Sequence, residues 1–131
     1  MTTREYMSMQ SVSPTRSRRS WLAANGALCA AAAVALAAYA AHGFDGAAQS
    51  RLNTAAIFAF GHGVALAILA PAASSRLNRI ALAMLYAGVL LFSGSLVFNV
   101  LAGWPASLAP LGGTLLIAGW MVLAVDAIRE S

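Results

Sequence analysis

Residues 80–125 read IALAMLYAGVLLFSGSLVFNVLAGWPASLAPLGGTLLIAGWMVLAV, and these 46 consecutive positions without Asp, Glu, Lys or Arg decide the fold. A helix needs about 20 apolar residues to cross the hydrocarbon core of a bilayer, so the stretch is long enough to cross twice. Gly103-Trp104-Pro105 interrupts it near the middle, where a turn between two helices is expected. We therefore predict two membrane-spanning helices, at about residues 79–101 and 107–125.

Two further uncharged blocks lie upstream, at residues 20–44 and 52–75. Each is long enough for one crossing, and Pro71 falls where the second helix should end. In lipid every backbone N–H and C=O needs a partner within its own segment, so blocks of this length should be helices joined by short turns. The predicted spans are residues 21–41 and 53–70.

Composition supports a membrane protein with helical spans. The chain is 60% hydrophobic and 9% charged, whereas soluble domains carry about 25% charged residues. The apolar blocks lack the period-2 alternation of a transmembrane barrel. We predict an all-α membrane protein, a four-transmembrane-helix bundle over residues 20–126. A flexible basic tail at residues 1–19 precedes the bundle, and a short C-terminus at 127–131 follows it.

The distribution of arginine predicts the orientation. Seven of the eight Arg residues fall on the side of the two termini, and Arg51 alone falls on the other side. Short cytoplasmic segments retain positive charge, so both termini should be cytoplasmic, in a bacterial inner (plasma) membrane. The charge is thus an orientation signal; we expect the lipid bilayer as partner and no nucleic acid. Four aromatic residues fall near predicted helix ends, where the interface favours them: Trp21, Tyr39, Trp104 and Trp120.

Several polar residues lie within the predicted spans, where each should face another helix or water. They are Asn25, His42, His62, Ser93, Ser95, Asn99 and Thr114. His62 lies near the expected midplane and could relay protons or bind a ligand. We favour a neutral imidazole that hydrogen-bonds to a hydroxyl or carbonyl on a neighbouring helix, and for the Ser hydroxyls we favour helix contacts. The Ala-rich first span should also face protein, because small side chains let helices approach closely.

The same residues argue against catalysis and cofactor binding. His42 should lie about 13 Å from His62 along the membrane normal, at 1.5 Å per residue. The predicted spans offer no third His and no carboxylate, and Cys29 is the single Cys, so zinc and haem sites lack ligands. A Ser nucleophile would lack an acid to complete its set, and thiol exchange would lack a second thiol. We therefore predict no catalytic residue, no metal, no cofactor and no enzyme activity.

A set of motifs in the four spans resembles a known family. The motifs are Ala41-His42-Gly43, His62, Leu91-Phe92-Ser93-Gly94-Ser95-Leu96, Pro110-Leu111-Gly112-Gly113 and Ala118-Gly119-Trp120. Over about residues 26–124 they resemble the YgdD-like bacterial membrane proteins (domain of unknown function 423), and animal transmembrane protein 256 is similar. The resemblance implies a small four-helix inner-membrane protein without assigned chemistry. Asn53, Phe58 and Ala59 stand where that family typically has an acidic residue and a Tyr-Gln pair.

Two functions remain open from the sequence. The first is a structural or accessory membrane component that associates with copies of itself or with other membrane proteins. The alternative is a small passive transporter or channel with a polar path near His62, Ser93, Ser95 and Asn99. Proton-coupled export is disfavoured because the predicted spans hold no acidic residue.

Overall fold

The computed structural model describes residues 2–9 and 20–129. It contains a short helix, α1 (Thr3–Met9), followed by four long ones: α2 (Trp21–Gly43), α3 (Gly46–Leu69), α4 (Arg76–Ala102) and α5 (Ala109–Arg129). A 3-10 turn at Ala70–Ala72 continues α3. The four long helices are each long and apolar enough to cross a membrane, and the described residues contain no strand. The predicted all-α architecture with four spans is confirmed.

Two helix boundaries differ from the predicted ones by four residues or more, and each difference has a physical reason. The third helix in the chain, α3, begins at Gly46, seven residues before the predicted start at 53. Arg51, whose charge set that predicted start, is accommodated because its Nη1 donates to Asn99 Oδ1 at 2.6 Å. The last helix, α5, continues past 125 to Arg129, because Asp126 is buried against a neighbouring helix rather than ending the span.

The short helix α1 lies in the segment predicted to be a flexible tail. The backbone N–H and the hydroxyl of Thr2 donate to the Glu5 carboxylate at 2.8 and 3.1 Å, which closes the first helical turn. Residues 10–19 lie outside the described residues. The prediction for the tail as a whole therefore stays a prediction.

The long helices form two hairpins rather than a closed ring. Helix α2 packs on α3, and α4 packs on α5, while α3 and α4 join the hairpins. In the described residues α2 and α5 make no extensive contact with each other. They reach different faces of α3, because Gly63 meets α2 whereas the neighbouring His62 meets Trp120 of α5, about 100° around the helix. The core cluster consists of Leu66, Leu82, Leu85, Val89 and Leu116.

A reciprocal pair of glycines closes each hairpin. A Cβ atom on Gly63 would lie 2.6 Å from the carbonyl oxygen of Gly26, and one on Gly26 would lie 2.7 Å from that of Gly63. In the second hairpin a Cβ atom on Gly88 would lie 3.0 Å from the carbonyl oxygen of Gly112, and one on Gly112 would lie 2.8 Å from that of Gly88. The backbones therefore touch at both crossings, as small residues allow between membrane helices.

The expectation that the first span faces protein is wrong for the single chain. Helix α2 buries only Gly26, Ala33 and Ala40. It packs mainly on α3, so most of its Ala-rich surface is exposed. The remaining surface of α2 is available to lipid or to another protein.

Buried polar contacts as the candidate functional site

The imidazole of His62 is hydrogen-bonded at both nitrogens. Its Nδ1 lies 2.8 Å from the carbonyl oxygen of Phe58, one turn earlier in α3, and its Nε2 lies 3.1 Å from Nε1 of Trp120. An indole N–H can only donate, so Nε2 accepts and Nδ1 carries the proton that it donates to Phe58. The contact with Trp120 joins α3 to α5. His62 is thus held as one neutral tautomer, but the partners differ from the predicted hydroxyl or carbonyl of a neighbouring helix. The carbonyl belongs to its own helix, and the neighbouring helix supplies an indole N–H.

Two aromatic rings, those of Phe58 and Trp120, lie beside this imidazole. The ring of Phe58 stacks on His62 at a centroid distance of 5.8 Å, and Phe92 of α4 lies 4.5 Å from Phe58. The prediction that Trp120 lies near a helix end is wrong, because α5 extends from Ala109 to Arg129 and places Trp120 near its middle. The indole therefore reaches the depth of His62 instead of the membrane interface.

The hydroxyl of Ser93 forms a second contact between helices. Ser93 is buried, and its Oγ donates to the carbonyl oxygen of Ala55 in α3 at 2.8 Å. The Oγ of Ser95 is also buried but has no hydrogen-bond partner in the described part of the chain. Two of the predicted residues bond only within their own helix: Thr114 donates to the carbonyl oxygen of Pro110, and Asn25 to that of Trp21. His42 lies exposed in the last turn of α2.

Asn99 anchors the end of the molecule near the α4–α5 connection. Its Oδ1 accepts from Arg51 Nη1 at 2.6 Å, and its Nδ2 donates to the carbonyl oxygen of Trp104 at 2.7 Å. These bonds tie the first turns of α3 to the end of α4 and to the following turn. Gly103, in the left-handed conformation, ends α4 at the predicted break.

The structure does not bring His62, Ser93 and Asn99 into one polar cluster. Ala55, the partner of Ser93, lies seven residues before His62, which is about 10 Å along α3 at 1.5 Å per residue. Each of the three side chains has separate partners, and the Phe58–Phe92 ring pair lies in the same α3–α4 interface. Among the described residues, His62, Ser93 and Asn99 therefore share no hydrogen-bond partner.

A carboxylate just beyond the predicted end of the fourth span, that of Asp126, is buried in α5. Asp126 is 4% exposed, and both of its oxygens accept from the hydroxyl of Ser75 at 2.8 Å. Ser75 is also the N-cap of α4, where its Oγ accepts from the backbone N–H of Asn78 at 2.9 Å. The negative charge of the carboxylate thus lies beside a helix N-terminus, which stabilises it.

Helical periodicity could have revealed Asp126. The buried residues of α5 include Gly112, Leu116, Gly119 and Asp126, at intervals of 4, 3 and 7. This spacing places the carboxylate on the same face as the apolar contacts with α4. The prediction that the spans contain no carboxylate is therefore wrong. Asp126 is not beside His62, however, because it lies six residues beyond Trp120, the partner of His62, which is about 9 Å farther along α5.

The described residues contain no set of three or more His, Cys, Asp or Glu side chains that could hold a metal ion. Cys29 is a free, half-buried thiol in α2. Catalysis by a Ser nucleophile would need a base within hydrogen-bond distance. The hydroxyl of Ser93 donates to a carbonyl oxygen, and the hydroxyl of Ser75 donates to the Asp126 carboxylate at the N-terminus of α4.

Comparison with known proteins gives one consistent result. The model of a family described as "Protein of unknown function (DUF423)" matches residues 36–113. A "UPF0382 membrane protein" of Staphylococcus haemolyticus is 30% identical over 112 residues, which cover 79% of this chain and 92% of the relative. A protein of the same description from Haemophilus influenzae is 33% identical over 109 residues, which cover 74% of this chain and 85% of the relative. No solved structure matches the chain.

Proposed function

The chain belongs to the DUF423 family and is a multi-pass membrane protein, and from this premise we propose that it is a structural or accessory component of the bacterial inner membrane. Helical spans support an inner-membrane location, because outer-membrane proteins typically cross as barrels. Both termini are placed in the cytoplasm by this proposal. Arg76, Arg79 and Arg129 lie at the end of the bundle that also holds the start of α2, whereas Arg51 lies at the opposite end.

One observation carries this proposal: several polar side chains in the spans join helices to one another. His62 bonds Trp120 between α3 and α5, Ser93 bonds α3 from α4, and Ser75 and Asp126 join α5 to the start of α4. Side chains that recognise a solute must instead be free to exchange protein partners for that solute. The arrangement therefore favours a stable scaffold over a carrier, and it supports the proposal that the protein is not an enzyme.

The proposed partners are further copies of the chain or other membrane proteins. Support comes from the surface of α2, which is rich in Ala and largely exposed, as in helices that pack against others in membranes. A groove of about 320 Å³ between α2 and α4 includes Ala32, Leu36 and Leu90 and adds an apolar concavity on this side. Crosslinking in native membranes followed by mass spectrometry would identify the neighbouring chains.

The rival function, a passive transporter or channel, is tested by flux. The full-length protein is reconstituted in liposomes, and efflux of protons and of small entrapped solutes is measured beside empty liposomes and beside liposomes with a channel-forming peptide. We expect efflux at the level of empty liposomes for both the native chain and His62→Ala. Efflux through the native chain that His62→Ala abolishes would replace the scaffold proposal with a transport function.

A further inference from the structure

A cleft opens at the Arg-rich end of the bundle, which holds Arg76, Arg79 and Arg129. Its volume is about 340 Å³, and it lies where α2 begins, α3 ends and α4 begins. Its apolar wall includes Leu22, Ala70 and Leu82, and its polar rim consists of Ser20, Trp21 and Arg79. The volume is near the lower limit of ligand pockets, about 300–1,000 Å³, so the cleft suits a small headgroup better than a whole lipid.

The cleft combines apolar and cationic chemistry at one depth of the membrane. Leu82 belongs to the core cluster, and Leu22 and Ala70 pack partly buried against it, so the wall of the cleft is an apolar edge of the core. Arg79 lies about 6 Å along α4 from its N-cap Ser75, where an Arg side chain can extend to the headgroup region. The indole of Trp21 is 83% exposed at the same level, as expected for an aromatic side chain at the interface.

The charge of Arg79 is not neutralised by the described part of the chain. The Arg79 side chain is exposed and forms no ion pair or hydrogen bond with residues 2–9 or 20–129. The buried carboxylate nearest the start of α4 belongs to Asp126, which bonds Ser75. A guanidinium presents planar donors that match a phosphate in a bidentate arrangement. In a bilayer, the molecule that offers a phosphate directly beside hydrocarbon at this depth is a phospholipid.

We propose that this cleft binds an anionic phospholipid, with Arg79 contacting the phosphate and the apolar wall contacting the first part of an acyl chain. Basic clefts between membrane helices recognise anionic headgroups by this combination of charge and shape. The inference goes beyond the proposed scaffold function and requires only that the four helices lie in a membrane. The same cleft would take an anionic lipid whether or not the protein has a partner.

The test compares lipids and variants by native mass spectrometry of the detergent-purified, full-length protein. The probes are phosphatidylglycerol and phosphatidylcholine, titrated into the native chain, Arg79→Gln and the matched control Arg76→Gln, whose side chain does not line the cleft. We expect phosphatidylglycerol to bind more tightly than phosphatidylcholine. Arg79→Gln should weaken its binding about tenfold or more, because charge-assisted hydrogen bonds are lost, and Arg76→Gln by about fivefold or less.

Two further arms separate the cleft from general surface charge and from soluble phosphates. Ala73→Leu narrows the cleft without changing its charge and should also weaken phosphatidylglycerol binding. Glycerol 3-phosphate should not displace the lipid, because it lacks the acyl chain. Equal losses for Arg76→Gln and Arg79→Gln, unchanged binding by Ala73→Leu, or displacement by glycerol 3-phosphate would each overturn the proposal. Circular dichroism of every variant establishes that it is folded.

Discussion

The hydroxyl of Ser75 is shared by the two oxygens of Asp126, each at 2.8 Å, across 51 positions of sequence. The same hydroxyl caps α4, so one oxygen atom fixes both the start of this helix and its contact with the end of α5. Two stabilising interactions share this position. The N-terminus of α4 stabilises the buried carboxylate, and the carboxylate holds α5 against α4.

Removing either member of this pair should destabilise the bundle. Ser75→Ala and Asp126→Ala should each lower the free energy of unfolding by about 1–3 kcal/mol. The first leaves the buried Asp126 carboxylate without its partner and removes the N-cap of α4, and the second removes the bond between α5 and α4. The double variant should cost less than the sum, with a coupling of about 0.5–3 kcal/mol. Unfolding in detergent is followed by circular dichroism. Thr114→Ala, which removes a bond within one helix, is the control and should change stability little. Strictly additive effects would contradict the contact.

The His62–Trp120 contact predicts one tautomer of the imidazole. Nitrogen NMR of the ¹⁵N-His-labelled protein in micelles should show the proton on Nδ1, because Nε2 accepts from the indole. Trp120→Phe keeps an aromatic ring but removes the N–H together with the five-membered ring, so it should lower stability by at least about 0.5–1.5 kcal/mol and release the tautomer preference. Trp104→Phe is the matched control, since the Trp104 ring stacks on Phe98 instead. A proton on Nε2 in the native chain would contradict the hydrogen bond.

The sequence predicts the four helices because hydrocarbon excludes ionised side chains, so the uncharged blocks mark where the chain can cross. It does not predict the ends of α3 and α5. Arg51 and Asp126 are tolerated inside helices because each bonds a side chain 48 or 51 positions away, and a count of charges along the chain contains no information about such partners. The partners depend on which helices pack together.

For the candidate site too, the sequence predicts the kind of contact but not the partner. Buried polar groups in a membrane must find partners, which makes the interhelical bonds of His62 and Ser93 expected in kind. The identity of each partner was not predictable, because the sequence does not state that α2 and α5 contact different faces of α3. Trp120 illustrates this, since its position near a predicted helix end suggested the interface, whereas the packing directs its indole to His62.

The glycine pairs predict unequal effects of the same substitution at neighbouring positions. Gly63→Ala should destabilise the α2–α3 hairpin, because its Cβ would lie 2.6 Å from the carbonyl oxygen of Gly26. A Cβ atom on Gly61 would meet no other atom within 4 Å. Gly61→Ala should therefore be neutral, or raise stability by up to about 1 kcal/mol because Ala has the higher helix propensity. Thermal unfolding in detergent compares the two variants. Equal stability would mean that α2 and α3 do not touch at this crossing.

The orientation of the bundle can be determined from two exposed positions at opposite ends. Ala72 follows α3 at the Arg-rich end, and Ser107 lies in the connection between α4 and α5. In a Cys29→Ala background, each position is changed to Cys and treated with a membrane-impermeant maleimide on intact spheroplasts. Ser107→Cys should be labelled at once and Ala72→Cys only after the membrane is disrupted, because the positive charge of Arg76 and Arg79 keeps that end in the cytoplasm. The reverse pattern would invert the orientation without changing the helix packing. Labelling of both positions in intact spheroplasts would mean that the chain inserts in both orientations. The charge of Arg51, whose side chain bonds Asn99, would then offset the charge of the Arg-rich end.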